Sequence, residues 1–248
     1  MRFVLSVLSL VLLTATCWAG DTSRVHVHGF TSDGNFFVFE EYGISDGIGA
    51  PYASVFAIDT RTDRWVSGSP ARVKTGEDGA IEGDESAFLA ALDETREQAM
   101  AQADPFLYPL GRLGFGEKRA ASAVWQLSGA PHFMRFSARS LLPDDGRAHR
   151  LVLEEKEYAA NEKCFGFSKK MYGFRLRLTD EATGDFKILN DDDGIPASRP
   201  CPLGYRLEEV WTHERADGQT VFAVLVRYST IGFEGPDRRV IAVTGTLR

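Results

Sequence analysis

The sequence predicts a mainly β protein built of antiparallel meander and sandwich-like sheets, with one inserted amphipathic helix. Three observations carry this. Short apolar runs rich in aromatic and β-branched residues recur along the 248-residue chain. Tight-turn pairs separate several of them, as at Asp33-Gly34, Asp145-Gly146, Thr183-Gly184 and Asp217-Gly218. One stretch, about residues 85–103, instead spaces its apolar residues for a helix.

The N-terminus reads as an export signal. Arg2 precedes an apolar run over residues 3–13, and small and polar residues then lead to a cleavage point after Ala19. That run is shorter than the roughly 20 residues that span a bilayer, and no later run is long or apolar enough, so no membrane span is expected. A lipid anchor on Cys17 is disfavoured, because Thr14 and Thr16 stand where a lipobox has branched and small residues. The expected organisation is a signal peptide over 1–19 and a single mainly-β domain over 20–248, in a periplasmic or secreted setting. Losing Arg2 takes the net charge from −7 to −8. Such an excess of acid argues against nucleic acid or an anionic membrane surface as partner.

Cys164 and Cys201 remain after processing. In an oxidising compartment an isolated pair is expected to form a disulfide, and the spacing is not that of a Cys-x-x-Cys redox site.

Within the chain, Phe36-Phe37-Val38-Phe39 is apolar at consecutive positions, which predicts a strand covered on both faces. Residues 53–59 and 64–66 complete a meander over about 24–70. The helix can be capped by Asp84 or Ser86, places Phe88, Leu89, Leu92, Ala99, Met100 and Ala103 near one face, and is expected to end at Asp104-Pro105. From His132 onward, strands are expected at 133–137, 150–155, 172–179, 186–189, 205–213, 220–228 and 239–244. The stretch 172–179 alternates, predicting one wet face. The stretch 220–228 is apolar throughout, predicting a central strand.

Several patterns invite a chemical reading. Gly43-Ile44-Ser45-Asp46-Gly47 fits Gly-x-Ser-x-Gly, yet the glycines and Pro51 that follow cannot open the helix a nucleophile elbow needs. His26 and His28, two apart on a strand, could share a metal with Glu40 or Glu41. The acidic loop 190–194 offers Asp191 and Asp193 to calcium, but an EF-hand alignment puts Leu189 and Pro200 at ligand positions. All four are weak candidates, so neither a metal site nor a cofactor is expected. The pairs Glu40-Glu41 and Glu154-Glu155 project to opposite sheet faces and form no acid–base couple alone. Trp65, Trp125, Trp211, Tyr42 and Tyr52 could stack on a sugar ring or simply be core. The loop from Gly111 to Gly116, "GRLGFG", lacks dinucleotide-binding spacing.

The order Ser32-Asp33-Gly34, Phe36 to Phe39, and Ile58-Asp59 resembles one blade of a WD40-like or TolB-like β-propeller. A longer resemblance runs nearly end to end. Through "GFTSDGNFFVFEEYGISDG", "PYASVFAIDTRTDRWVSGSP" and "RYSTIGFEGPDRRVIAVTG" the chain resembles the predicted secreted bacterial proteins catalogued as domain of unknown function 2259. This resemblance implies export to the cell envelope or periplasm and carries no activity or catalytic residues. With no catalytic constellation legible, the expected role is a non-catalytic binding or accessory protein of the envelope, whose partner is an envelope protein, a glycan or a small ligand. The alternative is a secreted hydrolase whose residues meet only in three dimensions.

Overall fold

A computed structural model describes residues 20–76, 81, 84–122, 132–138 and 148–247. The export segment, Trp125 and the Asp145-Gly146 turn lie outside these residues. The described strands gather into three antiparallel sheets. The first holds β1 (Arg24–Phe30), β2 (Phe36–Ile44), β3 (Pro51–Asp59) and β4 (Arg64–Trp65) in meander order, with β5 (Ala71–Lys74) also paired to β3. The second joins β6 (Glu117–Ala121) to β11 (Gly204–Glu214), β12 (Thr220–Thr230) and β13 (Asp237–Thr246), in the order β13-β12-β11-β6. The third is β7 (Phe133–Ser137), β8 (Ala148–Ala159), β9 (Lys170–Asp180) and β10 (Phe186–Asp191), again a meander.

The second sheet is the middle layer, and β12 shows why. Its alternate residues Val221, Ala223 and Leu225 pack on Phe37, Phe39 and Ile58 of the first sheet. The residues between them, Phe222, Val224, Val226 and Tyr228, pack on Leu151, Leu153, Phe174 and Leu176 of the third. A strand covered on both faces has no polar side to show, and the unbroken apolar run is the result. The same logic holds for β2, where Phe37 and Phe39 face the middle sheet while Val38 faces α1 (Glu85–Leu107). Layers therefore run helix, first sheet, middle sheet, third sheet. The blade-like signals of residues 24–70 build one layer of this stack, and the described residues contain no ring of blades. As expected, β9 is half wet, with Phe174, Leu176 and Leu178 inside and Arg175 outside.

The helix departs from expectation at both ends. Asp84 caps it, accepting from the Ser86 and Ala87 N–H groups, but Leu89 stays 45% exposed and the buried stripe starts only at Leu92. Pro105 does not end it. A proline so near the C-terminus removes a single backbone bond, while one more turn buries Phe106 and Leu107 against Ala53, Val55 and Ala57. Strands β5 and β6 carry no expectation above, because both are short and largely charged.

Candidate functional site

Ser45 lies just past the end of β2, in a loop where its N–H donates to the Ala50 carbonyl (2.9 Å) and its carbonyl accepts from Gly49 (2.8 Å). The chain then enters β3 at Pro51, not a helix. His26 and His28 are neighbours, with ring centroids 4.7 Å apart, and the pairing slips by one residue at His28, a β-bulge that returns Phe30 to the core face. Glu40 does stand beside them, with His28 Nε2 3.7 Å from its carboxylate. Arg96 already holds both Glu40 oxygens at 2.8 and 3.0 Å, and stacks on Tyr42 at 4.1 Å. Burial acts to raise Glu40, but His28 and Arg96 together hold it below the usual carboxylate value.

In the acidic loop, Asp191 is an exposed ion-pair partner, meeting Arg175 at 2.8 Å and Lys156 at 3.0 Å. These cations hold its pKa down at about 2. Asp192 turns inward, where Arg199 takes both its oxygens (2.9 and 2.7 Å) and it accepts the Phe174 N–H. Arg199 itself lies 5.1 and 5.3 Å from the Phe174 and Tyr205 rings and donates to the Tyr205 hydroxyl at 2.7 Å. Asp193 is exposed. The loop thus carries its own cations. Among the described residues no group of three or more His, Cys, Asp or Glu is arranged to hold a metal ion. Two residues beyond Arg199, Cys201 is bonded to Cys164 with a Cα–Cα distance of 5.1 Å, as the sequence predicts. Together, the disulfide and Arg199 pin the crossover between the third and middle sheets.

Polar groups converge elsewhere. Strands β3, β4 and β5 overhang β13, and a cleft of about 360 Å³ opens there, lined among others by Tyr52, Ser54, Trp65, Arg72, Lys74 and Arg239. The placement follows from strand alternation: Ala71 and Val73 pack toward the helix, so Arg72 and Lys74 project to the cleft side. Arg72 lies 5.8 Å from both the Phe56 and Trp65 rings. Trp65 is 43% exposed. Neither Arg72 nor Lys74 has a carboxylate partner among the described residues.

Deeper in the cleft, charges are satisfied. Arg239 pairs with Asp21 (2.8 Å) and Asp237 (3.2 Å) and stacks on Tyr52 at 4.6 Å. The Tyr52 hydroxyl donates to Asp21, and burial raises the pKa of both groups. Burial likewise pushes Tyr228 up to about 12. Glu41, with its carboxyl fully enclosed and accepting the Val240 N–H at 2.8 Å, is raised by the same cause. Ser45 also lines this cleft, and no described histidine does.

A second cavity, about 500 Å³, lies between the β9–β10 turn and the end of β13, against Leu178, Phe186 and Leu247. Its walls are mainly apolar, and Asp180 there is spent on capping its own turn at Ala182 N–H (2.8 Å). The β3–β5 cleft is the stronger candidate because Arg72 and Lys74 stand together there beside the exposed Trp65 ring. Sequence reasoning missed Arg72 and Lys74, whose alternation with Ala71 and Val73 was the available signal. Of the expected aromatics, Trp65 and Tyr52 are brought together here.

No helix among the described residues is long and apolar enough to cross a membrane. No curated protein and no solved structure matches the chain. The model of one family, described as predicted secreted protein and numbered as domain of unknown function 2259, matches residues 38–246, and the chain, with its Cys164–Cys201 disulfide, belongs to that secreted family.

Proposed function

We propose that this secreted protein is a non-catalytic binding protein of the periplasm or envelope, taking a small ligand with an acidic group in the β3–β5 cleft. One observation carries the reading. Arg72 and Lys74 present two cations without carboxylate partners beside an exposed indole, in a cavity of about 360 Å³. A guanidinium and an ammonium on one strand face suit a carboxylate or phosphate, Trp65 suits a ring or other apolar body, and Ser54 and Thr230 add hydroxyls. A serine hydrolase centred on Ser45 would need a base beside that hydroxyl, and no described histidine lines the cleft with it.

The test is calorimetric titration of mature protein with small carboxylated and phosphorylated sugars and their neutral parents. Acidic members should bind, and Arg72→Ala with Lys74→Ala should abolish the heat. Equal binding of neutral parents, or full binding by the double variant, would refute the reading.

A further inference from the structure

The third sheet has an inner face in the core and an outer face on which no described layer packs. Register fixes what that outer face carries. Phe133, Val152, Arg177 and Ile188 form one row across β7, β8, β9 and β10, and Arg135, Arg150, Thr179 and Phe186 form the next. Arg175 lies on the other side of the first row, opposite Glu154 and Asp191. Phe133 and Phe186 are 55% and 66% exposed, at opposite edges of the sheet. Four strands place those edges about 14 Å apart, from the usual spacing between neighbouring strands.

Two features of this face are costly for a purely structural surface. Arg135 and Arg150 stand directly opposite each other, and like charges so placed repel. Arg135 and Arg175 have partners in Glu181 (2.6 Å) and Asp191 (2.8 Å). Arg150 and Arg177, in the middle of the sheet, have no carboxylate among the described residues, and the Nε of each is shielded from solvent without an acceptor. Arg177 reaches only the Phe186 ring, at 6.0 Å. On a chain of net charge −7, unspent guanidinium groups are thus gathered on one flat, aromatic-flanked surface.

We propose that this face is a docking surface for an acidic polysaccharide, with carboxylates of the chain in the Arg150 and Arg177 forks and sugar rings lying on Phe133, Val152 and Ile188. Guanidinium forks match carboxylates bidentately. The face has no groove for a helix and is not a free strand edge, so it offers a peptide neither a slot nor a ladder. A second copy of the chain docked here by two-fold symmetry would set arginine against arginine. The surface is distinct from the β3–β5 cleft and stands without it.

The experiment is binding of full-length mature protein to polygalacturonate, followed by biolayer interferometry, with dextran, poly-L-glutamate and phosphatidylglycerol vesicles as competitors for the assignment. Polygalacturonate should bind and weaken as salt rises. Arg150→Gln with Arg177→Gln should lower affinity at least tenfold, and should do so equally in a background that already carries Arg72→Ala with Lys74→Ala, where the cleft cations contribute nothing. Val152→Glu guards against misfolding of the double variant. It supplies Arg177 with a carboxylate in register, so it should hold or raise the melting temperature and still abolish binding. No binding of polygalacturonate, equal binding of dextran, or retained affinity in either arginine-face variant would overturn the proposal. Tighter capture by poly-L-glutamate or by vesicles would reassign the face to an acidic protein segment or a membrane and overturn it equally.

Discussion

The middle sheet is packed on both faces, but by two different chemistries. Toward the third sheet the contact is apolar through its centre, Phe222, Val224 and Val226 against Leu151, Leu153, Phe174 and Leu176. Toward the first sheet an aromatic centre around Phe37 and Phe39 gives way to carboxylates and guanidinium groups. Glu41 accepts the Val240 N–H at 2.8 Å, and Asp63 accepts both the N–H and the hydroxyl of Thr244, at 2.7 and 2.8 Å. Those N–H groups lie on the side of β13 away from β12, where among the described residues only Thr22 forms a bridge, at Arg238. Side chains of the first sheet thus close an edge that would otherwise template pairing with another chain. Arg227, on the same face as Leu225, is held by both oxygens of Glu208 (2.6 and 2.5 Å) and by Ser23. The apolar interface supplies adhesion, whereas the ionic one fixes where the first sheet sits and ends the middle sheet.

The comparison breaks first at its two extremes. Phe39→Ala, in the aromatic centre, should cost about 3 to 5 kcal/mol in urea unfolding, as truncation of a buried aromatic does. Glu208→Ala should cost a similar amount, about 3 to 5 kcal/mol, for an opposite reason: Arg227, 2% exposed, is left charged and unpaired. The double change Glu208→Leu with Arg227→Met separates the two. It should restore most of the loss, because a buried ion pair can be replaced by apolar groups at little net cost. If the double variant stays as unstable as Glu208→Ala, the ionic interface contributes more than position.

Removing the disulfide, by Cys164→Ala with Cys201→Ala, should cost about 2 to 4 kcal/mol on the chain-entropy account of a loop spanning 37 residues. Its position matters to the comparison. It sits at the end of the apolar interface, with Met171, and Arg199–Asp192 pins the same crossover. A loss much smaller than this, read by reducing and non-reducing denaturation, would show that Arg199 and Asp192 hold the crossover alone.

These two interfaces were unequally legible in the sequence. The apolar one was plain, since β12 shows nine buried residues in succession and β9 alternates. The ionic one was hidden because its partners are set by one-residue insertions. The register slips at Glu208 in β11 and at His28 in β1, and a bulge depends on the partner strand, not on local composition. Continuation of the helix past Pro105 was equally unreadable, being driven by where Phe106 and Leu107 pack. The cleft cations sit on a short charged strand for which the sequence raised no expectation, and only the fold shows that no carboxylate of the described residues pairs with them.

A smaller effect tests the carboxylates directly. Burial raises Glu41 above its usual 4.5, against the pull of the Ser23 hydroxyl, Arg239 and Arg227. An acid with a raised pKa holds its proton more tightly when folded. Its contribution to stability is complete below the unfolded pKa and is lost as pH rises through the folded one. Glu41→Gln keeps an acceptor for Val240 and does not titrate. The stability difference between variant and parent should therefore shift toward the glutamine as pH rises from 4.5, read by urea unfolding at several pH values. Variant and parent share a further slope of the same sign from Asp21, Asp63 and Asp237, whose pKa values burial also raises, and it cancels in the difference. A difference that does not change with pH would mean that Glu41 titrates alike in the folded and unfolded chain.

The smallest expected effect belongs to Ser45, the residue whose surroundings in sequence look most like a nucleophile's. Its backbone, not its hydroxyl, makes the loop's hydrogen bonds, to Ala50 and Gly49. The following strand at Pro51 provides no helix N-terminus to stabilise an oxyanion. Its side chain faces a cleft whose described lining holds no histidine to accept a proton. Ser45→Ala should change unfolding free energy by less than about 0.5 kcal/mol, as substitutions away from packed or paired positions do, and leave ligand heats at the cleft intact. A fluorophosphonate probe should not label the mature protein. Labelling that disappears in Ser45→Ala would place a working base within reach of the hydroxyl and turn the cleft from a binding site into a hydrolase centre.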